Sequence, residues 1–322
     1  MPLLPPPSYR PPRHQWNRHL QTILPNALRR VAHTGYARQR LELADGDFLD
    51  LDWSRTRNSA PTGKLAILTH GLLGNASRPY MLGMAAAFNR VGWDVLAWNM
   101  RGLGGEPNRL ERMTTHGGSD DLAAVVGHVL QAEPYRHIAL VGFSKGGNIA
   151  LKYAGEQGGG LPAAIKSVVA ISAPCDVLGS VAAMGDYSIY ARMFRDKFKR
   201  FVLTKKDLIG KETLDKLLRH NTLMQMTEHY VAPLHGFANA EDYCIRCSSL
   251  PHLAQIRVPS LLLNAQNDPV LSPSCSPRDI AGQSEFLFLE MPLLGGHVGF
   301  GQANNQPTWA EWRTVDFVTG LL

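Results

Sequence analysis

The sequence has no long uninterrupted run of apolar residues. A helix that crosses a membrane needs about 20 consecutive apolar residues, and the longest candidates, such as residues 122–132, are far shorter. The opening MPLLPPPSYRPPR lacks a basic segment followed by an apolar one, and its prolines oppose a helix. We therefore expect a soluble, cytoplasmic protein without a signal peptide or a membrane-spanning helix.

Cysteine is scarce, with four residues in a chain of 322. This number does not amount to a disulfide framework. Cys244 and Cys247 have the C-x-x-C spacing of a redox pair or of half a zinc site, but no second C-x-x-C accompanies them. Only His235 and His252 are close by in sequence as further ligands. We favour two half-buried cysteines, and we expect no metal site and no cofactor.

Charged residues make up 19% of the chain and apolar residues 44%, which excludes disordered, collagen-like and coiled-coil proteins. The formal charge of +6 is unevenly spread, because residues 1–40 contain seven Arg and no acid, and residues 192–219 contain ten Lys or Arg and four acids. Such segregation can attract an anionic membrane surface, nucleic acid or phosphorylated substrates. No nucleic-acid motif is present, so we expect no nucleic-acid partner. Contact with an anionic membrane surface stays open, with solvated helical faces favoured.

Short apolar runs alternate with helical patterns along most of the chain. Asp45-Gly46 is a tight-turn signal between β-like runs at 38–43 and 48–53 and predicts a hairpin. Continuous apolar runs are typical of strands buried on both faces of a parallel sheet. We predict such strands at 65–69, 95–99, 138–142, 168–172, 261–264 and 286–290, and helices at 80–90, 120–131, 145–156 and 308–317.

This alternation predicts an α/β fold in which helices cover both faces of a mostly parallel sheet. The alternation stops at residues 173–259, where helical patterns occur at 187–201 and 211–226 without a convincing strand. We therefore expect an N-terminal arm with the first part of the core over residues 1–172. A helical lid insertion follows over residues 173–259, and residues 260–322 form the remainder of the core.

A predicted strand runs into G-x-S-x-G, at Gly142, Ser144 and Gly146, and then into a predicted helix. This arrangement is typical of a nucleophile elbow, in which the flanking glycines avoid collisions around a tightly turned serine. The motif alone is weak in a chain with 30 glycines, and its context supplies the specificity. A phosphate-binding turn is the alternative, but Lys145 does not fit the P-loop spacing.

An acyl-transfer serine needs a base and an orienting carboxylate, which follow the serine in the order Asp, His in this fold. Asp268 comes just after a predicted strand, where the carboxyl end of the strand places it at the active edge. Its alternative is a turn-forming aspartate before Pro269. His297 lies in a glycine-rich segment between the last strand and the last helix, with a packing or capping role as its alternative.

The oxyanion hole is predicted from two backbone N–H groups. One belongs to Lys145, next after the nucleophile, and the other to Leu72, in the His70-Gly71-Leu72 loop that follows a predicted strand. An ordinary surface loop is the alternative for the second group.

With these motifs the chain resembles the YheT-like branch of the α/β-hydrolase superfamily, which includes the plant embryogenesis-associated hydrolases. The resemblance covers nearly the whole chain and implies an α/β-hydrolase fold and a carboxylic-ester hydrolase acting on short-chain or lipid acyl esters. Two departures stand out: Lys145 replaces an aliphatic residue, and Cys244 and Cys247 replace tyrosine and small residues. Lys145 keeps the backbone donor but brings a cation near the site or onto its rim. The matching segments are 11–12, 19–23, 70–74, 99–102, 142–148, 233–237, 242–243 and 296–300.

Our leading hypothesis is a serine esterase in which Ser144 attacks, His297 accepts its proton and Asp268 orients His297. An acyltransferase with the same residues is an alternative, and a non-catalytic ligand-binding protein is a less favoured one. Aromatic residues at helical spacing predict an acyl pocket that includes Phe194 and Phe198, although a helix merely packed on the core is comparably favoured. The stripe comprises Tyr187, Tyr190, Phe194, Phe198 and Phe201. The oligomeric state is left open.

Overall fold

The computed structural model describes residues 3–5, 7–32, 35–56, 62–132, 134–303 and 307–321. Eight strands form one sheet in the order β1-β2-β4-β3-β5-β6-β7-β8. Only β1 and β2 run antiparallel to their neighbours, and the pairs from β4 to β8 are parallel. The predicted mostly parallel sheet is therefore confirmed. The strands are β1 Ala37–Glu42, β2 Phe48–Ser54, β3 Lys64–Thr69, β4 Asp94–Asn99, β5 His137–Phe143, β6 Ile165–Ile171, β7 Ser260–Leu263 and β8 Leu287–Glu290.

Helices cover both faces of this sheet. Along β5, Ile138 and Leu140 face one apolar cluster, while Ala139 and Val141 face a second, as the two-residue period of a strand requires. Helices α3 and α4 contribute to the first cluster, and α2 and α12 contribute to the second. The core helices are α2 Pro79–Arg90, α3 Ser119–Ala132, α4 Lys145–Gln157, α11 Arg278–Gln283 and α12 Trp309–Thr319.

Between β6 and β7 the chain is fully described and forms helices without a strand. The predicted helix at 211–226 is wrong in one respect, because His220 is extended and divides it into α7 and α8. Thr222 and Gln225 then form a capping box that begins α8. The helices are α5 Val177–Met184, α6 Ile189–Leu203, α7 Lys211–Arg219, α8 Leu223–Met226, a π-helical turn Thr227–Val231, α9 Ala232–Leu234 and α10 Ala240–Cys247, followed by a 3₁₀ turn Leu250–Gln255.

The N-terminal arm contains a helix, α1 Arg18–Leu28, that the sequence analysis does not predict. The Asn17 side chain begins α1 by accepting hydrogen bonds from the first free N–H groups. Arg29, which follows α1, forms an ion pair with Glu311 of α12 and so ties the arm to the core. Among the residues that the structure describes, no helix is both long and apolar enough to cross a bilayer.

Candidate active site

Ser144 occupies a strained turn between β5 and α4, with φ 51° and ψ −121°. Positive φ is uncommon for a residue with a side chain. The flanking glycines are required by space: a Cβ on Gly142 would lie 2.1 Å from the Gly146 carbonyl oxygen, and a Cβ on Gly146 would lie 2.2 Å from the Thr69 carbonyl oxygen. The motif therefore forms the sharp turn that its spacing predicts.

The structure brings Ser144, His297 and Asp268 into one hydrogen-bonded chain. His297 Nε2 lies 2.9 Å from Ser144 Oγ, and His297 Nδ1 lies 2.8 Å from Asp268 Oδ2. The other carboxylate oxygen of Asp268 accepts hydrogen bonds from the backbone N–H groups of Val270 at 2.8 Å and Leu271 at 3.3 Å. These bonds fix the carboxylate in the orientation that receives the imidazole.

Side chains from the N-terminal arm hold the loop that carries His297. The His297 backbone N–H donates to Thr22 Oγ1 at 2.9 Å. Gln21 Oε1 accepts from the Gly295 backbone N–H at 3.0 Å and from Asn267 Nδ2 at 2.8 Å. Gln21 and Thr22 have no role predicted from the sequence, and the only signal for them is that segment 19–23 belongs to the resemblance.

The two predicted oxyanion donors lie beside the serine turn. Neither the Leu72 nor the Lys145 backbone N–H donates to any acceptor among the described residues. The loop at Leu72 approaches the nucleophile closely, since a Cβ on Gly71 would lie 3.3 Å from Ser144 Cβ. The structure thus leaves two backbone donors without an acceptor in the two segments that adjoin Ser144.

His70 shapes the Leu72 loop from the buried side. Its Nε2 accepts from the Met100 backbone N–H at 3.1 Å, so Nδ1 carries the proton and donates to the Gly71 carbonyl at 2.7 Å. Burial lowers the pKa of His70 to about 4. The imidazole is therefore a neutral structural group at physiological pH.

Ser144 opens into an apolar cavity between the sheet edge and the helices that follow β6. Phe194, Phe198 and Phe201 of α6 line this cavity together with Leu72. The remaining members of the predicted aromatic stripe do not. Tyr187 precedes α6 and is 66% exposed, and the buried Tyr190 hydroxyl lies 2.9 Å from His19 Nδ1 of the arm.

The basic side of α6 is partly used within the fold. Lys199 Nζ donates to the Leu218 carbonyl at 2.6 Å, and Arg195 donates to the Asn221 carbonyl at 3.4 Å. Both carbonyls lie around the C-terminal end of α7, so these cations join α6 to α7. Contact of this face with an anionic membrane surface stays a prediction.

The Lys145 side chain is buried rather than placed on the rim of the site, with 5% of its surface exposed. Its Nζ donates to the Thr114 carbonyl at 2.6 Å. Burial lowers the pKa of Lys145 to about 8. The cation expected near the site therefore lies inside the protein.

Cys244 and Cys247 are free, buried thiols on α10. Burial raises the pKa of Cys244 to about 12, which opposes the thiolate that redox chemistry or zinc binding needs. In the part of the chain that the structure describes, no group of three or more potential metal ligands is found.

Asp176 follows strand β6, as Asp268 follows strand β7, but its carboxylate has a different role. It caps α5 by accepting from the Gly179 N–H at 2.9 Å.

Similar sequences agree with this architecture. Residues 66–303 match the family described as "alpha/beta hydrolase fold". A protein of Escherichia coli strain K12 named "Putative esterase YheT" is 32% identical and covers 95% of this chain and 91% of its own length. Human phospholipase ABHD3 is 26% identical, covering 98% of this chain and 79% of its own length.

Solved structures agree as well. An esterase of Pyrococcus furiosus, Pf2001, superposes with a TM-score of 0.59 at 17% identity and covers 92% of this chain and 97% of its own. At that identity the likeness concerns the fold alone. The family match and the similarity to the E. coli protein confirm the resemblance drawn from the motifs, and the chain belongs to the α/β-hydrolase fold family.

Proposed function

We propose that this protein is a serine esterase that hydrolyses carboxylic esters through an acyl-enzyme on Ser144. The observation that carries the proposal is the continuous hydrogen-bonded chain from Ser144 through His297 to Asp268, in which Ser144 lines an apolar cavity. Each group has the neighbour that its role in acyl transfer requires.

The hydrogen bonds define the direction of proton transfer. The neutral imidazole of His297 donates its Nδ1 proton to Asp268, so Nε2 is the acceptor for the Ser144 hydroxyl proton. As Ser144 Oγ bonds to the ester carbonyl carbon, His297 takes this proton and then delivers it to the departing alcohol. Water, deprotonated in turn by His297, releases the acid and restores Ser144.

The free N–H groups of Leu72 and Lys145 receive the oxyanion in this proposal. Lys145 is the first residue of α4, where backbone N–H groups lack partners within the helix and the helix dipole is positive. Donors fixed in this way need no rearrangement as negative charge develops on the carbonyl oxygen.

The helical segment 173–259 acts as a lid over the core formed by residues 1–172 and 260–322. Phe194 and Phe198 then bind the acyl chain, because they line the cavity into which Ser144 opens. The relatives include proteins named as a phospholipase and as a monoacylglycerol lipase. Lipid acyl esters, together with short-chain esters, are therefore the substrates that we propose.

Labelling by a fluorophosphonate probe tests this proposal. The protein should be labelled and should hydrolyse p-nitrophenyl esters, and Ser144→Ala should lose labelling and at least about 10⁴-fold in kcat/KM with an unchanged Tm. A folded, unlabelled wild-type protein without ester turnover would favour the ligand-binding alternative. Preferential transfer of the acyl group to added alcohol, measured by product analysis, would favour the acyltransferase.

A further inference from the structure

Lys145 places a positive charge in the wall of the cavity. It follows Ser144 directly, so its Cα lies about 3.8 Å from that of the nucleophile. Its ammonium donates to the carbonyl oxygen of Thr114. Met113, Thr114 and His116 all line the cavity. Lys145 thus follows the reacting serine in the chain, and its ammonium is held by a residue that lines the same cavity.

This ammonium has no carboxylate partner among the described residues. The contrast is Arg101, which lines the same cavity but pairs with Asp121 at 2.9 Å, Asp47 at 2.9 Å and Asp45 at 2.8 Å. Arg101 therefore faces three carboxylates. Lys145 is buried without an ion pair of its own: Asp121 acts on it electrostatically and opposes the lowering of its pKa, but the Asp121 carboxylate is hydrogen-bonded to Arg101. A buried charge without a direct partner is costly.

Lys145 also has donors to spare. An ammonium group carries three N–H bonds, and the structure gives Lys145 one acceptor. Lys205, a second buried lysine, donates to the carbonyls of Glu111 at 2.7 Å and Arg112 at 2.9 Å. Lys205 is not among the described residues that line the cavity. Of these two lysines, Lys145 is the one placed to bind a ligand.

We propose that the cavity selects esters whose acyl portion carries an ionised carboxylate. This carboxylate pairs with the ammonium of Lys145 while Ser144 attacks the ester carbonyl. Half-esters of dicarboxylic acids are the simplest members of this class. Their methylene chain suits the apolar lining, which includes Met100 and Phe198. This inference rests on the proposed esterase function and names its substrate class.

The ionisable groups around Lys145 change protonation at other pH values than its ammonium does. Burial lowers the pKa of Lys145 to about 8, so the free site is cationic below that pH and neutral above it. Desolvation lowers the pKa of His70 and His235 to about 4 and of His116 to about 3, and it raises the pKa of the Cys247 thiol. The remaining charged neighbours, Asp121 and Arg101, are paired with each other.

The test compares monoethyl adipate with an ethyl ester of the same length that ends in an isopropyl group in place of the carboxylate. We expect kcat/KM for ethanol release to favour the half-ester roughly 10- to 100-fold, the range for hydrogen bonds to a charged group. Lys145→Met should abolish this preference and Lys145→Arg should keep part of it. Lys205→Met, which removes a buried lysine that lies behind Phe201 and does not itself line the cavity, should keep the full preference.

The pH dependence of this preference identifies the titrating group. The ratio of the two kcat/KM values should fall as pH rises through about 8, because Lys145 then loses its proton. Titration of the catalytic groups cancels in the ratio. The ratio should stay flat in Lys145→Met. A wild-type ratio that does not change between pH 6 and 10 would contradict the role of Lys145.

Binding of the two esters to Ser144→Ala protein distinguishes a failure of this inference from a failure of the esterase proposal. Ser144→Ala protein should gain a larger Tm increase from monoethyl adipate than from the neutral ester, and the added Lys145→Met change should remove the difference. Equal binding of both esters would overturn the inference even if Ser144 hydrolyses them. Esters with the carboxylate on the alcohol portion form a second series, and a preference confined to them would overturn the assignment to half-esters.

Discussion

The two walls of the cavity are built differently. In the core wall, backbone hydrogen bonds and strained turns hold the groups around Ser144. Five non-glycine residues have positive φ in the described chain, and all lie in the core: Leu73, Ser144, Ser172, Val298 and Phe300. The helical wall over residues 173–259 has none, and its contribution consists mainly of apolar side chains.

This difference separates reaction from selectivity. Strained backbone persists only where its surroundings determine it fully. Here Ser172 Oγ accepts from the Val298 N–H at 2.9 Å, next to His297, while the Ser144 N–H donates to the Ile171 carbonyl at 2.8 Å. The apolar contacts of α6 are less directional. We therefore expect changes to the strained turns and hydrogen-bonded groups of the core wall to affect rate, and changes to the apolar side chains of the helical wall to affect the choice of acyl chain.

Asp268→Asn should have the largest effect, a loss of about 10⁴-fold in kcat. Asparagine can donate a hydrogen bond to His297 Nδ1, which places the imidazole proton on Nε2 and removes the acceptor for Ser144. Asp176→Asn is the matched control, because asparagine also caps helices and Asp176 caps α5. Steady-state kinetics decide: greater sensitivity at Asp176 would refute the assignment of Asp268.

Gly146→Ala should break the geometry of the serine turn. The new Cβ would meet the Thr69 carbonyl at 2.2 Å, which neither backbone can relieve without moving Ser144. We expect a loss of about 3 kcal/mol or more in the free energy of unfolding, at the upper end for overpacking. Gly127→Ala in α3 is the control, since a Cβ there meets nothing within 4 Å, and it should stabilise by up to about 1 kcal/mol. Urea denaturation measures both, and similar values would contradict the requirement for glycine.

Thr22→Val tests whether the arm belongs to the core wall. Valine preserves the shape but removes the acceptor of the His297 backbone N–H. An unsatisfied N–H costs about 1–3 kcal/mol of stability. Because the segment that loses this bond carries His297, we expect a displaced imidazole and a roughly tenfold lower kcat, with little change in KM. Thr319→Val, on the last helix, is the control. A change in Tm without a change in kcat would limit Thr22 to a structural role.

The sequence predicted the core wall better than the arm or the details of the helical wall. The continuous apolar runs and the G-x-S-x-G spacing are local sequence signals. The strands and the helix that they predict are therefore found within a few residues of the predicted bounds. Helix α1 was missed because proline and arginine dominate the arm and because its buried face is short, with Gln21, Thr22 and Pro25 buried. The contacts of Gln21 and Thr22 with the His297 loop join residues more than 270 positions apart, which no local pattern reports.

The direction of side chains is the second feature that the sequence patterns do not predict. Periodicity placed five aromatic residues on one stripe of a helix, but it could not show that Ser188 begins α6, which leaves Tyr187 outside. Likewise, the sequence placed Lys145 beside the nucleophile without indicating that its side chain is buried. That depends on the Thr114 carbonyl, from a loop that no motif identifies.

The double variant Phe194→Ala/Phe198→Ala should have the smallest effect, because it enlarges the cavity at the helical wall and leaves the reacting groups in place. A methylene buried in an apolar site is worth about 0.8 kcal/mol, or roughly fourfold in kcat/KM. The double variant should therefore favour p-nitrophenyl esters longer by one or more methylenes, with several-fold changes in the ratio between chain lengths. Ile189→Ala, on the same helix but 63% exposed, should leave that ratio unchanged.

The single Phe194→Ala variant guards against loss of stability, since Phe198 is also packed in the apolar cluster of the helical wall. If the double variant keeps its Tm and fluorophosphonate labelling but also keeps the wild-type chain-length profile, α6 does not select the acyl chain. If labelling falls as steeply as turnover, the helical wall also positions the reacting groups. The division between a wall for reaction and a wall for selectivity would then be wrong.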